Sequence, residues 1–194
     1  SVFLQNRKQP VSTAPIMSYG SMPIDDGHLT LTNNEREEAL KLEPNIEPTI
    51  FRYTGGDEFI NNKTRWCLWL VNLSPTMLRT SKFLRERVEL TKKFRLSSNR
   101  EATLKLAETP MLFGEIRQPK AQYLLIPKVS SERRLYVPIG LLSSNMIASG
   151  SCLIIPDANM YHFGVLQSKI HMAWLRVVCG RMKSDYQYSA SIVY

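Results

Sequence analysis

Residues 65–71, RWCLWLV, constrain the fold more than any other stretch. From Trp66 to Val71 the run is apolar without alternation, which predicts a strand covered on both faces and therefore central in its sheet. The next segment has a different period. Ser74-Pro75 opens it, Met77, Phe83 or Leu84, Val88 and Leu90 or Thr91 recur near helical spacing, and Lys and Arg occupy the other face. This predicts one long basic amphipathic helix reaching to about Leu106. A chain that sets a buried strand beside such a helix needs a sheet with helices packed on it.

The rest of the sequence repeats that mixture in short pieces. Thr32-Asn33-Asn34-Glu35 caps a short helix that ends before Glu43-Pro44, and a helical or turn segment follows from Glu47 to Ile50. Strands are predicted at residues 111–116, 123–126, 135–137 and 152–155, with turns at residues 143–145 and 148–150. Residues 161–178 have helical spacing, one helix or two, stopped by Gly180. Residues 1–30 read as extended and loop-rich, punctuated by Pro10, Pro15, Pro23 and the turn Pro23-Ile24-Asp25-Asp26-Gly27. The expected class is α+β: a mixed or antiparallel sheet of short strands with several flanking helices.

Composition narrows the function. The 194 residues are 43% hydrophobic and 22% charged, a globular balance. No stretch reaches the roughly 18 apolar residues of a membrane helix, and no signal-peptide pattern opens the chain. Cys67, Cys152 and Cys179 are far apart among apolar neighbours, which predicts reduced thiols in a cytoplasmic protein. His28, His162 and His171 lack metal-site spacing. The chain starts SVFLQNRK and stops at SIVY, and we expect an excised part of a larger protein.

The formal charge of +8 is unevenly spread. Residues 1–62 carry 5 Lys and Arg against 9 Asp and Glu, residues 63–134 carry 16 against 6, and residues 135–194 carry 4 against 2. The middle third holds the positive excess, which points to a polyanion such as nucleic acid; the alternative is a solvated basic face.

No catalytic set stands out: phosphate-loop, dinucleotide and nucleophile-elbow motifs are all absent. Asp25-Asp26 and Asp57-Glu58 have the context of turn residues, and Glu115 with Arg117 and Lys120 only faintly resembles a metal-dependent nuclease set. Binding features are stronger. Arg117, Gln118 and Lys120 follow a predicted strand, and Arg and Gln suit guanine and adenine edges or phosphates. Between two predicted strands, Ser130, Ser131, Arg133 and Arg134 offer convergent donors to phosphate, and Glu132 can accept from cytosine or orient an arginine. Arg181 and Lys183 interleave with Tyr186, a pattern that fits backbone contact with stacking or, equally, aromatics docking a strand into the core. Lys63 and Arg65, at the entrance to the apolar run, and the loop between Gly140 and Cys152 complete the candidates.

Several blocks then point to one family. EFINNKTRWCLWL, ETPMLFGEIRQPK, YLLIPKVSSERRLYVPIG, NMYHFGVLQSKIHMAWLRVVCGRMKSDYQYS and the terminal IVY resemble, in order, the target-recognition domain of MmeI-like adenine-specific DNA methyltransferases of bacterial restriction–modification systems. GSMPIDDGHLTL resembles the segment that joins this domain to the catalytic one, and the likeness runs from about residue 7 to 194. The resemblance implies residues 1–45 as a joining segment and 46–194 as the recognition domain. It implies duplex DNA and the catalytic domain of the same chain as partners, with no membrane. The parent protein would carry methyl transfer from S-adenosylmethionine to adenine, and in many members a nuclease. The Asn-Pro-Pro-aromatic and glycine-rich cofactor motifs are missing here, so neither cofactor binding nor catalysis is expected of this stretch. As a shared family block, SSERR is expected to hold the phosphate backbone or the flipped-base region. The rival readings are a freestanding metal-dependent nuclease and a basic protein-interaction domain.

Overall fold

The structure, a computed structural model, describes residues 14–194; Pro10 and the start of the family likeness lie outside them. Three small sheets form the described fold. The first is antiparallel throughout, in the order β1 (Ser18–Tyr19), β9 (Cys152–Pro156), β5 (Tyr123–Pro127), β7 (Gly140–Leu142). The second has β2 (Thr30–Leu31), β4 (Trp66–Leu68), β3 (Ile50–Thr54) and β8 (Met146–Ala148), with β3 and β8 parallel. The third has β10 (Gly180–Met182), β11 (Asp185–Gln187) and β6 (Val129–Ser130). This is the α+β arrangement the sequence implies.

Strand β5 shows why the first sheet is central. Each of its five residues is buried. Leu124 and Ile126 face a core built with Leu153, Ile155, Leu166, Met172 and Leu175. Tyr123 and Leu125 face the other way, against Cys152, Ile154 and Ala148. The period of two thus places one side of the sheet under helices α6 (Met160–Leu166) and α7 (Lys169–Val178) and the other against β8. A separate core forms around the second sheet, where Leu29, Leu31, Ile46, Tyr53, Cys67 and Leu68 meet Leu84 and Phe113. The described part of residues 1–45 belongs to this architecture: it supplies β1, β2 and helix α1 (Asn33–Leu42), whose cap is Thr32, with Glu35 completing a reciprocal capping box; helix α2 (Gly56–Asn61) follows β3.

Five sequence expectations change. The run at 65–71 forms a strand only at Trp66–Leu68, though it does lie inside its sheet between β2 and β3. The long helix is divided into α3 (Pro75–Thr80), α4 (Lys82–Leu96) and α5 (Glu101–Lys105). The first break occurs at Ser81, which adopts an extended backbone, accepts from the Leu84 amide and donates to the Glu43 carboxylate. Capping and the tie to Glu43 outweigh continuation of the helix. The predicted strand at 135–137 is irregular, and Leu135 is exposed; its neighbourhood pairs elsewhere, β6 with β11 and β7 with β5. The predicted loop between Gly140 and Cys152 contains β7 and β8.

The fifth change has a single cause. Residues 111–116 form no strand beyond a bridge of Glu115 with Met22. Their neighbours' carbonyls are directed instead at Arg95, a completely buried arginine at the end of α4. Its Nε donates to Ile24 O at 2.9 Å, Nη1 to Leu106 O and Thr109 O at 2.8 and 3.0 Å, and Nη2 to Pro23 O and Leu112 O at 2.8 and 2.7 Å. All five N–H donors are used. Burial lowers the guanidinium pKa, and the nearby Asp25 carboxylate opposes that shift. Ile24 sits at φ 52°, a strained region for a β-branched residue, with its carbonyl turned into this cage.

Arg95→Met strands five buried carbonyls, and we expect a stability loss of at least about 3 kcal/mol in urea unfolding. Arg95→Lys should recover little, because three rotatable donors cannot copy the planar fork. A second prediction concerns His171 on α7, whose Nε2 lies 2.9 Å from the buried Tyr188 hydroxyl. Burial lowers the His171 pKa from its ordinary 6.5. Below that value the unfolded chain takes up a proton that the folded one resists, so stability should fall as pH drops through about 6.5. Replacing His171 with Phe should flatten that limb of an unfolding-versus-pH series.

Candidate nucleic-acid interface

The third sheet brings two candidate groups together. β6 carries the chain into Ser131, Glu132, Arg133 and Arg134, while β10 and β11 form a hairpin beside it, with Tyr186 opposite Ser130. Ser131 shapes the turn: its Oγ accepts from the Arg133 amide at 3.3 Å and its carbonyl from the Arg134 amide at 3.1 Å. Both arginine side chains are left exposed. Across the gap, Arg181 contacts Glu132 at 3.5 Å, donates to Ser184 O at 3.0 Å and lies 4.4 Å from the centre of the Tyr186 ring.

The hairpin tip carries a strained residue. Met182 pairs with Asp185, leaving Lys183-Ser184 as a two-residue turn, and Lys183 has φ 58°. Such a position favours glycine, so the lysine is held at a conformational cost of about 1–2 kcal/mol. Strain of this kind is a feature of functional sites when the surrounding fold enforces it. Arg133, Arg134, Arg181 and Lys183 thus stand against two carboxylates, Glu132 and Asp185, on one small sheet. Among the described residues Arg133, Arg134 and Lys183 enter no ion pair. An uncompensated, exposed cluster of that sign attracts polyanions.

Other candidates are placed differently. Ser130 and Tyr186 are buried, so Tyr186 supports Arg181 from below and presents no open stacking face. Gln118 is fully engaged: its Nε2 donates to Ser144 O and Met146 O, and its Oε1 accepts from the Ala148 amide. It clamps β8, and its amide is no longer available to a base edge. Arg117 pairs with Glu115 at 2.6 Å and donates to Gly20 O, while Lys120 is exposed and free of ion pairs among the described residues. Arg65 is held by Glu58 at 2.9 Å and by the Tyr53 ring at 4.6 Å. Lys63 and Asp57 form an exposed pair at 2.8 Å, which raises the lysine pKa and lowers the aspartate one.

Sequence reading missed Lys128. It stands directly before Val129 and the SSERR turn, its Nζ is 4.9 Å from the Tyr19 ring centre, and it shares a cleft of about 510 Å³ with Arg65, Asp25, Ser149 and Ser151. Its place one residue upstream of the loop was the available signal. The basic outer face of α4 is partly neutralised: a groove of about 820 Å³ mixes Lys82, Arg85 and Lys93 with Glu86 and Glu89. Among the described residues no group of three or more His, Cys, Asp and Glu side chains is placed to hold a metal, and no helix is long and apolar enough to cross a membrane.

Comparison with known proteins gives concordant results. The chain is 36% identical over 194 residues to "DNA methyltransferase A" of Bacillus subtilis (strain 168), covering 100% of this chain and 22% of that protein. It matches the solved structure of the Type IIL restriction–modification enzyme MmeI in complex with DNA at 44% identity and a TM-score of 0.95, covering 100% of this chain and 26% of that one. The family described as "MmeI, target recognition domain" matches residues 1–194. The chain therefore belongs to the MmeI target-recognition domain family.

Proposed function

We propose that this chain binds duplex DNA and sets the sequence at which a larger protein acts. The observation that carries the reading is the unpaired Arg133–Arg134 turn beside the Arg181–Lys183 hairpin, in a chain whose 44%-identical structural relative was solved with DNA. The larger protein is read as a bacterial, cytoplasmic, S-adenosylmethionine-dependent adenine methyltransferase that in some forms also cleaves DNA. This chain spans about a quarter of such relatives and supplies recognition, while cofactor binding and methyl transfer belong to the catalytic domain. Residues 14–45 both lead in from that domain and pack into the recognition fold. The nuclease and protein-interaction alternatives gain no support from the comparisons.

The chemistry divides between held and free cations. Arg133 and Arg134 are exposed and can fit phosphate oxygens that vary little with sequence. Arg181, fixed by Glu132, Ser184 O and Tyr186, keeps the hairpin in a defined position on the loop. An adenine amine is unreachable inside a duplex, so modification requires base flipping, and a rigid recognition surface must hold the remaining helix while that occurs.

In the full-length protein, Arg133→Ala/Arg134→Ala should weaken binding to all duplex sequences and lower the logarithmic salt slope by about one for each lost contact. Titrations of cognate and mixed-sequence duplexes at several salt concentrations read both quantities. A loss confined to one base position would show that these arginines read bases. Gln118→Ala should instead lower the unfolding midpoint with an unchanged salt slope, because its amide serves β8.

A further inference from the structure

A second exposed surface has the opposite chemistry. Helix α7 is apolar on two sides. Met172 and Leu175 are buried in the core, whereas Ile170, Trp174 and Val177, spaced i, i+4 and i+7, face outward. Ile170 is 84% exposed and Val177 79% exposed. Helix α6 extends the face with Met160, Tyr161 and Val165, Tyr161 being 75% exposed. Met160, Tyr161, Val165 and Ile170 line one groove of about 520 Å³, so the two helices present a single patch. Exposed Lys169 and Arg176 flank this face of α7, and a contiguous apolar patch with a polar rim marks an interface.

The occupant follows from chemistry and from length. DNA offers phosphate oxygens, and none of these six side chains is cationic or a strong donor apart from the tyrosine hydroxyl and indole N–H. The relatives that contain a region like this one are far longer: it makes up 22% of one and 26% of another. Helix α7 also leads directly into the basic hairpin, with only Val178 and Cys179 between Val177 and Gly180. A partner seated on this face would fix the hairpin relative to itself, as a catalytic domain acting on the recognised sequence requires.

We propose that the α6–α7 face docks the remainder of the parent polypeptide, its methyltransferase part, by apolar packing. The proposal rests on the functional reading above.

The test uses the full-length protein in a Cys179→Ser background, with Ile170→Cys, Val177→Cys or, as an exposed reference on α1, Leu42→Cys. Maleimide labelling rates are measured without DNA, with a duplex, and across protein concentrations, alongside mass by light scattering. Docking predicts that both face cysteines label about tenfold or more slowly than the Leu42→Cys reference, without DNA and independently of concentration. Labelling as fast as the reference overturns the proposal. Protection that appears only with duplex assigns the face to DNA, and protection lost on dilution with falling mass assigns it to a second copy; either result overturns it too. Duplex binding by the same preparations separates the two readings, since absence of binding sinks the functional reading while the labelling pattern still judges the interface.

Discussion

The fold depends on one buried guanidinium. Arg95 gathers carbonyls from Pro23 and Ile24, from Leu106 and Thr109, and from Leu112, and so ties the turn before β2, the end of α5 and the following loop to α4. Among the described residues no carboxylate pairs with it directly; five carbonyl dipoles serve as the counter-charge. Only an arginine suits such a site, because its donors lie in one plane and it loses less hydration than an ammonium. The consequences propagate. Pro23 and Met22 pair with Gly114 and Glu115, Ser21 accepts from the Arg117 amide, and Gly20 lies so close to Ser149 that any β-carbon would overlap its carbonyl. The cage thereby connects α4 to the edge of the central sheet through a single strap of chain.

That strap explains why strand-like sequence at 111–116 is not strand. Its apolar residues are still used: Phe113 packs edge-on against Tyr53 at 5.7 Å and Trp69 at 5.1 Å. Its backbone, however, answers to Arg95 and to Pro23, so a ladder cannot form. Local pattern reports which side chains are buried. It does not report which carbonyls a distant side chain will claim.

The same distinction separates what the sequence reveals from what it hides. The β5 and β9 runs, a cap at Thr32 and the two helices before Gly180 are legible because each is decided by residues within a few positions of one another, although the last helix ends at an extended Cys179 and Gly180 opens β10. The break at Ser81 and the loss of strand at 135–137 are not, since the first depends on Glu43 and the second on β11 pairing with β6. In the candidate site, residue type singled out the cations only as a group. It could not sort Gln118 and Arg65, which are held by internal partners, from Arg133 and Arg134, which are not. For Gln118 that sorting depends on contacts across 26 residues and more of chain, as the bond to Ser144 illustrates, whereas Arg65 is held by Glu58 only 7 residues away, through a geometry that residue type alone does not give.

The molecule therefore presents two surfaces whose chemistries conflict, joined through α7. On the third sheet, cations outnumber carboxylates, and the buried Tyr186 ring and Glu132 hold Arg181 in place. On the α6–α7 face, large apolar side chains meet solvent. Polyanion binding gains from the first and little from the second. The two are tied together: Tyr188 follows β11 and reaches back to His171 on α7, while its amide donates to Lys128 O, two residues before the SSERR turn. Tyr188 thus contacts both α7 and the chain that leads into the SSERR turn. Under the proposed function that connection has a direct use, because fixing the helix face would also fix the register in which the basic turn meets a duplex.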